Sequence, residues 1–227
     1  MSDTVQIVQQ LSESSAFQEL APPLKMAVFM GALALAGTAL VSLTSFTRIV
    51  IVLSFVRRAM TTQEIPPTPV VIGLSLFLTM FVMGPTWERI NAQAISPYLA
   101  GEVDGVEAIR AGSESLRQFM LQQTRRQDLA MFLYLSGAES PESPHDTPMR
   151  ALVPAFMISE LKTAFLMGFC IYVPFLLVDL VVSAVLMSMG MMMMPPVVIS
   201  TPFKILLFVL ADGWHLVARA LSLSFSG

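Results

Sequence analysis

Three charged residues lie inside long apolar stretches of this 227-residue sequence: Arg48, Asp179 and Lys204. An unpaired charge at the centre of a bilayer costs at least about 2.5–3.5 kcal/mol, so such residues usually face protein, a partner or water. Either the charges form buried pairs that hold helices together, or they line a water-filled path. Both hypotheses require a helical bundle or an oligomer, because neither suits a single hairpin surrounded by lipid.

Residue patterns that would indicate an enzyme are absent from the sequence. It contains no Gly-x-Ser-x-Gly elbow, no phosphate-binding glycine-rich loop and no His-Glu-x-x-His. Asp212 and His215 lie one helical turn apart, but no nucleophile accompanies them, and an interfacial position explains the pair better. His145, His215 and Cys170 are too few for a zinc site. We therefore expect no enzymatic activity, no metal and no cofactor.

The stretch Met187–Pro196 holds six of the 17 methionines of the chain. Methionine is unbranched and polarizable, so a cluster of methionines can repack around differently shaped partners. Pro195 and Pro196 remove two amide donors and disfavour helix at Met194. Non-helical backbone at membrane depth is tolerated only where it is buried in protein or lines a cavity. A deformable apolar constriction in a pore explains the run, and filling of a protein core is the alternative.

The composition indicates that membrane helices position these residues. Hydrophobic residues make up 55% of the chain and charged residues 13%, and the mean hydropathy is +0.70, whereas about a quarter of a soluble domain is charged. Four apolar runs predict membrane helices, at residues 26–56, 70–87, 164–194 and 197–217. The first run either projects beyond the lipid or breaks near Ser42–Ser45. The second should stop at Gly84-Pro85, and Pro174 should kink the third.

The sequence divides into four segments: a polar N-terminal segment (1–25), an apolar helical hairpin (26–87), a periplasmic helical domain (88–150) and a C-terminal apolar hairpin with the methionine run (151–227). Segment 88–150 carries six basic and nine acidic residues. The predicted fold class is therefore all-α, an integral membrane protein of long kinked helical hairpins with a small helical domain outside the membrane.

Local signals set the topology and some helix ends. Asp104-x-x-Glu107 resembles a capping box, and Ser140–Pro148 predicts a loop. Arg57 and Arg58 make the short loop 57–69 the basic one, so the positive-inside rule places it in the cytoplasm and both termini outside. The N-terminus lacks a basic region before the first apolar run, so we expect insertion by the first membrane helix instead of a signal peptide of the usual form.

Five motifs in the same order resemble those of the FliP family of flagellar type III export-gate proteins, whose injectisome counterpart is the SctR family. They are Thr44–Val52, Phe119–Arg125, Ser159–Phe165, Gly190–Pro196 and Pro202–Trp214. The resemblance covers residues 26–225, and its prolines look like the flagellar branch. After Arg57 the family usually continues Asn-Ala-Leu-Gly-Thr, whereas this chain has Arg-Ala-Met-Thr-Thr at 58–62.

The resemblance implies a protein that is not an enzyme and that assembles, in about five copies, with FliQ-like and FliR-like subunits. It implies further contact with FlhA/FlhB-like export proteins and the basal-body ring in the bacterial inner membrane. Unfolded flagellar subunits would be the substrates, membrane lipid the surroundings, and nucleic acid would not bind. It also implies that many of the apolar helical residues need not lie in conventional membrane-spanning helices.

The resemblance and the charges give three sets of candidate residues. By position, the methionine ring that seals the closed pore in the family falls on Met191, Met192, Met193 and Met194. Charges that would join neighbouring subunits, where losing one partner costs about 3–5 kcal/mol, are Arg48, Glu160, Lys162, Asp179, Lys204 and Asp212. Residues 88–150 should drive ring formation, with Phe119 and Met120 as contacts.

Two rival functions come from other classes. A proton-coupled transporter would use Asp179 and Lys204, but such proteins generally show internal repeats with paired broken helices, and the two halves of this chain do not match. A scaffold that organises a secretion ring without lining a pore is the other rival, and an injectisome gate subunit is the alternative within the resemblance.

Overall fold

A computed structural model describes residues 22–61, 65–137, 146–191 and 194–225. Within these residues the chain is helical and has no β-strand. The helices are α1 (Pro22–Ser42), α2 (Phe46–Ala59), α3 (Thr68–Ile90), a π-helical turn (Asn91–Ile95), α4 (Ser96–Leu99), α5 (Gly105–Gln123), α6 (Arg126–Leu135), α7 (Met149–Ser188), α8 (Pro196–Leu210) and α9 (Gly213–Leu223). The all-α fold class is confirmed.

Two of the described helices are long and apolar enough to cross a membrane: Thr68–Leu99, which joins α3 to α4, and α7. The pair α8 and α9, bent by 63° at its break, makes a third if it counts as one span. The expected number was four. The run 26–56 is divided between Ser42 and Phe46 into two helices, which is the second of the two alternatives for this run. With 40 residues, α7 is about 60 Å long, twice the thickness of the hydrocarbon core.

The prediction that Gly84-Pro85 would stop the second run is wrong, because α3 continues through Pro85 to Ile90. Proline costs a helix one amide hydrogen bond and a steric clash, but apolar helices tolerate it where other groups satisfy the backbone. In the same way α7 runs through both Pro154 and Pro174.

The chain forms two compact units, and the first comprises the residues up to Thr44 together with Gly84–Ser159. In this unit α5 packs on the π-helical turn. Asp104 is the N-cap of α5, as predicted, but its Oδ1 accepts from the amide of Gly105 at 2.7 Å instead of the amide three residues on. Most of the predicted loop at 140–148 and residues 1–21 of the polar N-terminal segment lie outside the described residues.

The second unit comprises Ser45–Met83 and Glu160–Gly227. One face of α2 is buried, with Ile49, Val52 and Val56 at intervals of three and four residues. These side chains pack against a core contributed by the other helices of this unit, including Ala164, Phe175, Phe208, Val217 and Leu221. Since the core draws on α2, α7, α8 and α9, each of these helices is held by apolar contacts before any charge is considered.

The sharp turn between α8 and α9 depends on a glycine and an aromatic ring. Asp212 adopts a left-handed conformation, with φ of 48°. A Cβ atom at Gly213 would lie only 2.2 Å from the ring of Phe208, so any larger residue would displace that ring. Phe208 also packs edge-on against Trp214, with ring centroids 5.2 Å apart. The stretch Asp212–Trp214 therefore bends the helix pair.

Candidate functional site

Arg48 and Glu160 form a buried ion pair between α2 and α7. Arg48 Nε donates to Glu160 Oε2 at 2.9 Å, and Arg48 Nη2 donates to the other carboxylate oxygen. The two side chains are 3% and 0% exposed. Paired N–H groups match both oxygens of a carboxylate, which makes this the strongest form of ion pair in proteins.

The end of α9 completes this arrangement. Arg48 Nη1 donates to the carbonyl oxygen of Ser224 at 2.8 Å and to its hydroxyl at 3.0 Å. The ring of Phe225 lies under the guanidinium, with its centroid 3.8 Å from Arg48 Cζ. We call Arg48, Glu160, Ser224 and Phe225 the Arg48 centre. It joins α2, α7 and the end of α9 within the second unit.

A second pair joins α7 to α8. Lys204 Nζ donates to Asp179 Oδ2 at 2.5 Å, and Ser200 Oγ donates to Asp179 Oδ1 at 2.5 Å. Ser200 and Lys204 lie four residues apart, so both face α7 from the same side of α8. The Lys204 side chain is 1% exposed, whereas that of Asp179 is 30% exposed. We call Asp179, Ser200 and Lys204 the Asp179 centre.

The methionine run connects α7 to α8 through a defined helix end. Gly190 has a φ of 75°; its amide bonds the carbonyl of Met187 at 3.0 Å, and the amide of Met191 bonds that of Leu186 at 3.0 Å. This pair of bonds is a Schellman motif, in which a left-handed glycine ends a helix. Pro196 then occupies the first turn of α8, where a missing amide costs nothing.

The described methionines of this connection are exposed. Met187 and Met189 are 61% and 67% exposed, and Met191 and Met194 are 38% and 39% exposed. Methionines that fill a core would be buried, so these four do not fill the core of this chain. Met192 and Met193 lie outside the described residues.

An apolar groove runs beside the same connection. It has a volume of about 1210 Å³ and is lined by residues of α7 and α8 together with Met189 and Ala211. Val181, Val185 and Phe203 are among its lining residues, and each is more than half exposed. The second unit therefore presents a broad apolar surface next to the methionine run.

Comparison with known proteins assigns the chain to one family. The sequence profile of the FliP family matches residues 29–221. The chain belongs to the FliP family. It is similar to the flagellar biosynthetic protein FliP of Bacillus subtilis (strain 168), with 50% identity over 93% of this chain and 96% of the relative. FliP of Caulobacter vibrioides is 52% identical over 86% of this chain and 74% of its own length, and FliP of Aquifex aeolicus is 46% identical over 91% and 87%.

In this FliP-family chain, four of the six predicted charges pair with one another inside one subunit. Arg48 pairs with Glu160 and Asp179 with Lys204, so these four charges join helices within one chain, whereas the sequence interpretation assigned them to contacts between neighbouring subunits. Of the remaining two predicted charges, Lys162 is exposed on α7. Asp212 is exposed in the turn before α9, with Oδ2 3.9 Å from His215 Nδ1.

The expectation that Phe119 and Met120 contact a neighbouring copy is corrected by their burial. Phe119 is 5% exposed and Met120 is 0% exposed in the single chain. Phe119 packs edge-on against Phe156, with ring centroids 6.0 Å apart. An amphipathic helical pattern shows which face of a helix is apolar, but it does not distinguish the core of a subunit from an interface. In this FliP-family chain both side chains belong to the core of the first unit.

Ser159 is a connecting residue that the sequence interpretation missed. Its hydroxyl accepts from the backbone amide of Arg125 at 3.0 Å and donates to Asp128 Oδ2 at 2.8 Å. Arg125 is the N-cap of α6 and Asp128 lies in its first turn, so a hydroxyl from α7 completes the cap of another helix. The sequence offered one indication of this contact, because Arg125 and Ser159 lie in two of the family motifs, Phe119–Arg125 and Ser159–Phe165, which are distant in the sequence.

Among the residues that the structure describes, no three His, Cys, Asp or Glu side chains lie close enough to hold a metal.

Proposed function

We propose that this chain is a pore-forming core subunit of the flagellar type III protein export gate, which passes unfolded flagellar subunits across the inner membrane. The observation that carries the proposal is the exposed methionine connection between α7 and α8. It occurs in a chain of the FliP family, whose relatives are named flagellar biosynthetic proteins.

Two defined helix ends flank the flexible methionine side chains of the connection. The Schellman turn at Gly190 and the proline at the start of α8 define where the two helices end. The Asp179 centre holds the two helices together next to this connection. Between the helix ends, Met191 to Met194 offer flexible, polarizable side chains that can close around chains of different shape. Several copies meeting on one axis would seal the pore with these residues.

Assembly into a ring of about five copies, with FliQ-like and FliR-like subunits, would bury the apolar surface that a single chain exposes. Such a ring would in turn contact FlhA/FlhB-like export proteins and the basal-body ring. The charges of the two centres are already used within the subunit, so Lys162 and Asp212 are the candidates for pairing between subunits. Residues 88–150 would form the part of the ring outside the membrane, through surface residues other than Phe119 and Met120.

The test of the seal replaces Met191 to Met194 together by alanine in otherwise unchanged cells. We expect resting cells to leak small ions and solutes, because alanine cannot fill the space that methionine fills on the axis. The matched control is Met80→Ala, which truncates a methionine that is 72% exposed on α3 and should leave conductance unchanged. A four-alanine variant that conducts no more than the control would place the seal elsewhere.

A second measurement distinguishes a pore from a scaffold. A photo-crosslinking residue at position 191 or 194 is tested against a substrate stalled in export. A pore subunit should crosslink to the stalled chain there and should not crosslink when the same probe replaces the exposed Leu99 of the first unit. No crosslink at either gate position, with the ring intact, would favour a scaffold that organises the ring without lining the pore.

A further inference from the structure

Arg48 has more hydrogen-bond donors than its partner Glu160 can use. A guanidinium carries five N–H groups in a fixed plane, and Glu160 engages Nε and Nη2. The remaining nitrogen, Nη1, reaches past the carboxylate to Ser224. A lysine would neutralise Glu160 equally well but could not make both sets of bonds. Arg48 therefore binds a second partner in addition to neutralising the charge of Glu160.

That second partner is the C-terminal end of a helix. The last carbonyl groups of a helix lack amide partners, and they carry the negative end of its dipole. Ser224 is the C-cap residue of α9, and its carbonyl oxygen accepts from Arg48 Nη1 at 2.8 Å. Its hydroxyl also accepts from Nη1 and donates to the carbonyl of Leu221 at 2.7 Å. Arg48 thus caps α9 with a positive charge supplied by α2.

Phe225 closes the arrangement from the other side. Its ring centroid lies 3.8 Å from Arg48 Cζ, the position in which the face of an aromatic ring attracts a cation. Phe225 also packs against the apolar core of the second unit. Glu160 and Ser224 therefore hold the guanidinium through hydrogen bonds in its plane, and the Phe225 ring packs against its face.

We propose that the Arg48 centre is a clasp that fixes the end of α9, so that α9 is held more firmly than apolar packing alone would hold it. The opposite end of the α8–α9 pair, at the methionine connection, is built differently. There the connection contains a glycine with positive φ and exposed methionines, and Asp179 of the adjacent ion pair is 30% exposed. The clasp concerns the subunit itself, so its test does not depend on export activity.

The test uses full-length protein in detergent and measures how fast a buried cysteine reacts with a maleimide. Cys170 is exposed and is first replaced by serine. Val217→Cys then reports on α9 and Ala164→Cys reports on α7, since these positions are 5% and 0% exposed. Phe225→Leu keeps an apolar side chain but removes the ring face, and Phe225→Tyr retains it. Leu223→Ala, at a residue 59% exposed, is the matched control.

We expect Phe225→Leu to raise the labelling rate of the α9 reporter at least threefold and Arg48→Lys to raise it at least tenfold. Phe225→Tyr and Leu223→Ala should leave that rate within twofold of the parent. The α7 reporter should stay within twofold in Phe225→Leu.

Two outcomes would overturn the proposal. If the α9 reporter reacts no faster in Phe225→Leu than in Leu223→Ala, apolar packing alone holds α9. If the α7 reporter accelerates as much as the α9 reporter, the Arg48 centre stabilises the whole unit and is not a clasp on one helix end. Phe225→Leu leaves the ion pair intact, so it decides the question even if Arg48→Lys does not fold.

Discussion

The Arg48 centre and the Asp179 centre solve the same problem, a charge inside apolar sequence, in different ways. Each places one acid on α7 and the matching base on another helix. The two acids lie about 28 Å apart along α7. In the Arg48 centre both charges are buried and the guanidinium has further partners. In the Asp179 centre the base is buried, but the acid is 30% exposed.

This difference determines what each centre can do. Removing one partner of a fully buried pair leaves a charge with neither water nor a counterion, which is strongly destabilising. At the Asp179 centre the acid is 30% exposed at the surface of the chain, so protein encloses it less completely and separating the pair should cost less. The Arg48 centre is therefore suited to fixing a helix end, whereas the Asp179 centre should hold its two helices less firmly.

The largest expected effect comes from breaking the Arg48 centre. Arg48→Met should lower the free energy of unfolding by about 3–5 kcal/mol, because it strands Glu160 at a position without water. The double variant Arg48→Met/Glu160→Gln removes the stranded charge and should recover more than half of that loss. Denaturant unfolding of the purified protein in detergent measures both values.

Arg219→Met is the matched control for this experiment, since Arg219 is exposed on α9. Exposed charges contribute only about 0–1 kcal/mol, so the control should unfold almost as the parent does. A single Arg48→Met variant no less stable than this control would mean that Glu160 finds water or another partner, and the contrast between the two centres would fail.

The next effect is an asymmetry within the Asp179 centre. Asp179→Asn leaves Lys204 charged and buried, whereas Lys204→Met leaves an acid that is 30% exposed at the surface of the chain. We therefore expect Asp179→Asn to cost about 1–3 kcal/mol and Lys204→Met to cost about 1 kcal/mol or less. The same unfolding measurement compares the two single variants directly. Equal losses, or a greater loss for Lys204→Met, would show that Asp179 is as well buried as Glu160.

Much of this arrangement could be predicted from the sequence because it follows from simple physical rules. Charges inside apolar runs usually face protein, a partner or water, which singled out Arg48, Asp179 and Lys204. Two consecutive prolines disfavour helix at the residue before them, which indicated non-helical backbone at the end of the methionine run. The helix break between Ser42 and Phe46 was one of two alternatives, which followed from an apolar run longer than the bilayer core needs.

The rest depended on tertiary contacts that no local pattern encodes. The sequence does not show that Glu160 belongs to Arg48, because these residues are joined only by the fold. Burial of Phe119 and Met120 could not be separated from a subunit interface, since both environments select apolar side chains. Ser159 escaped notice because a single serine in a helix usually bonds only its own backbone.

The smallest expected effect concerns Thr61, which helps to hold α8 near the Asp179 centre. Thr61 has a φ of 56°, a left-handed conformation that is unfavourable for a β-branched residue. Its hydroxyl lies 2.8 Å from that of Thr201 on α8. The family pattern has glycine at this position of the 58–62 segment. Thr61 therefore combines an unfavourable backbone conformation with a hydrogen bond between two neutral hydroxyl groups. Its partner Thr201 follows Ser200, which donates to the Asp179 carboxylate.

Comparing glycine with alanine at this position isolates the backbone strain, because both substitutions remove the hydroxyl. Thr61→Gly should be about 1 kcal/mol more stable than Thr61→Ala, since only alanine keeps a Cβ at positive φ. The control is the same pair at Thr201, inside α8, where the sign should reverse and glycine should be about 1 kcal/mol less stable than alanine. If Thr61→Gly is the less stable of its pair, Thr61 does not hold a left-handed conformation in the folded protein. The Thr61 hydroxyl would then reach Thr201 on α8 from another backbone conformation. The hydrogen bond between the two hydroxyl groups would therefore not compensate for backbone strain at Thr61.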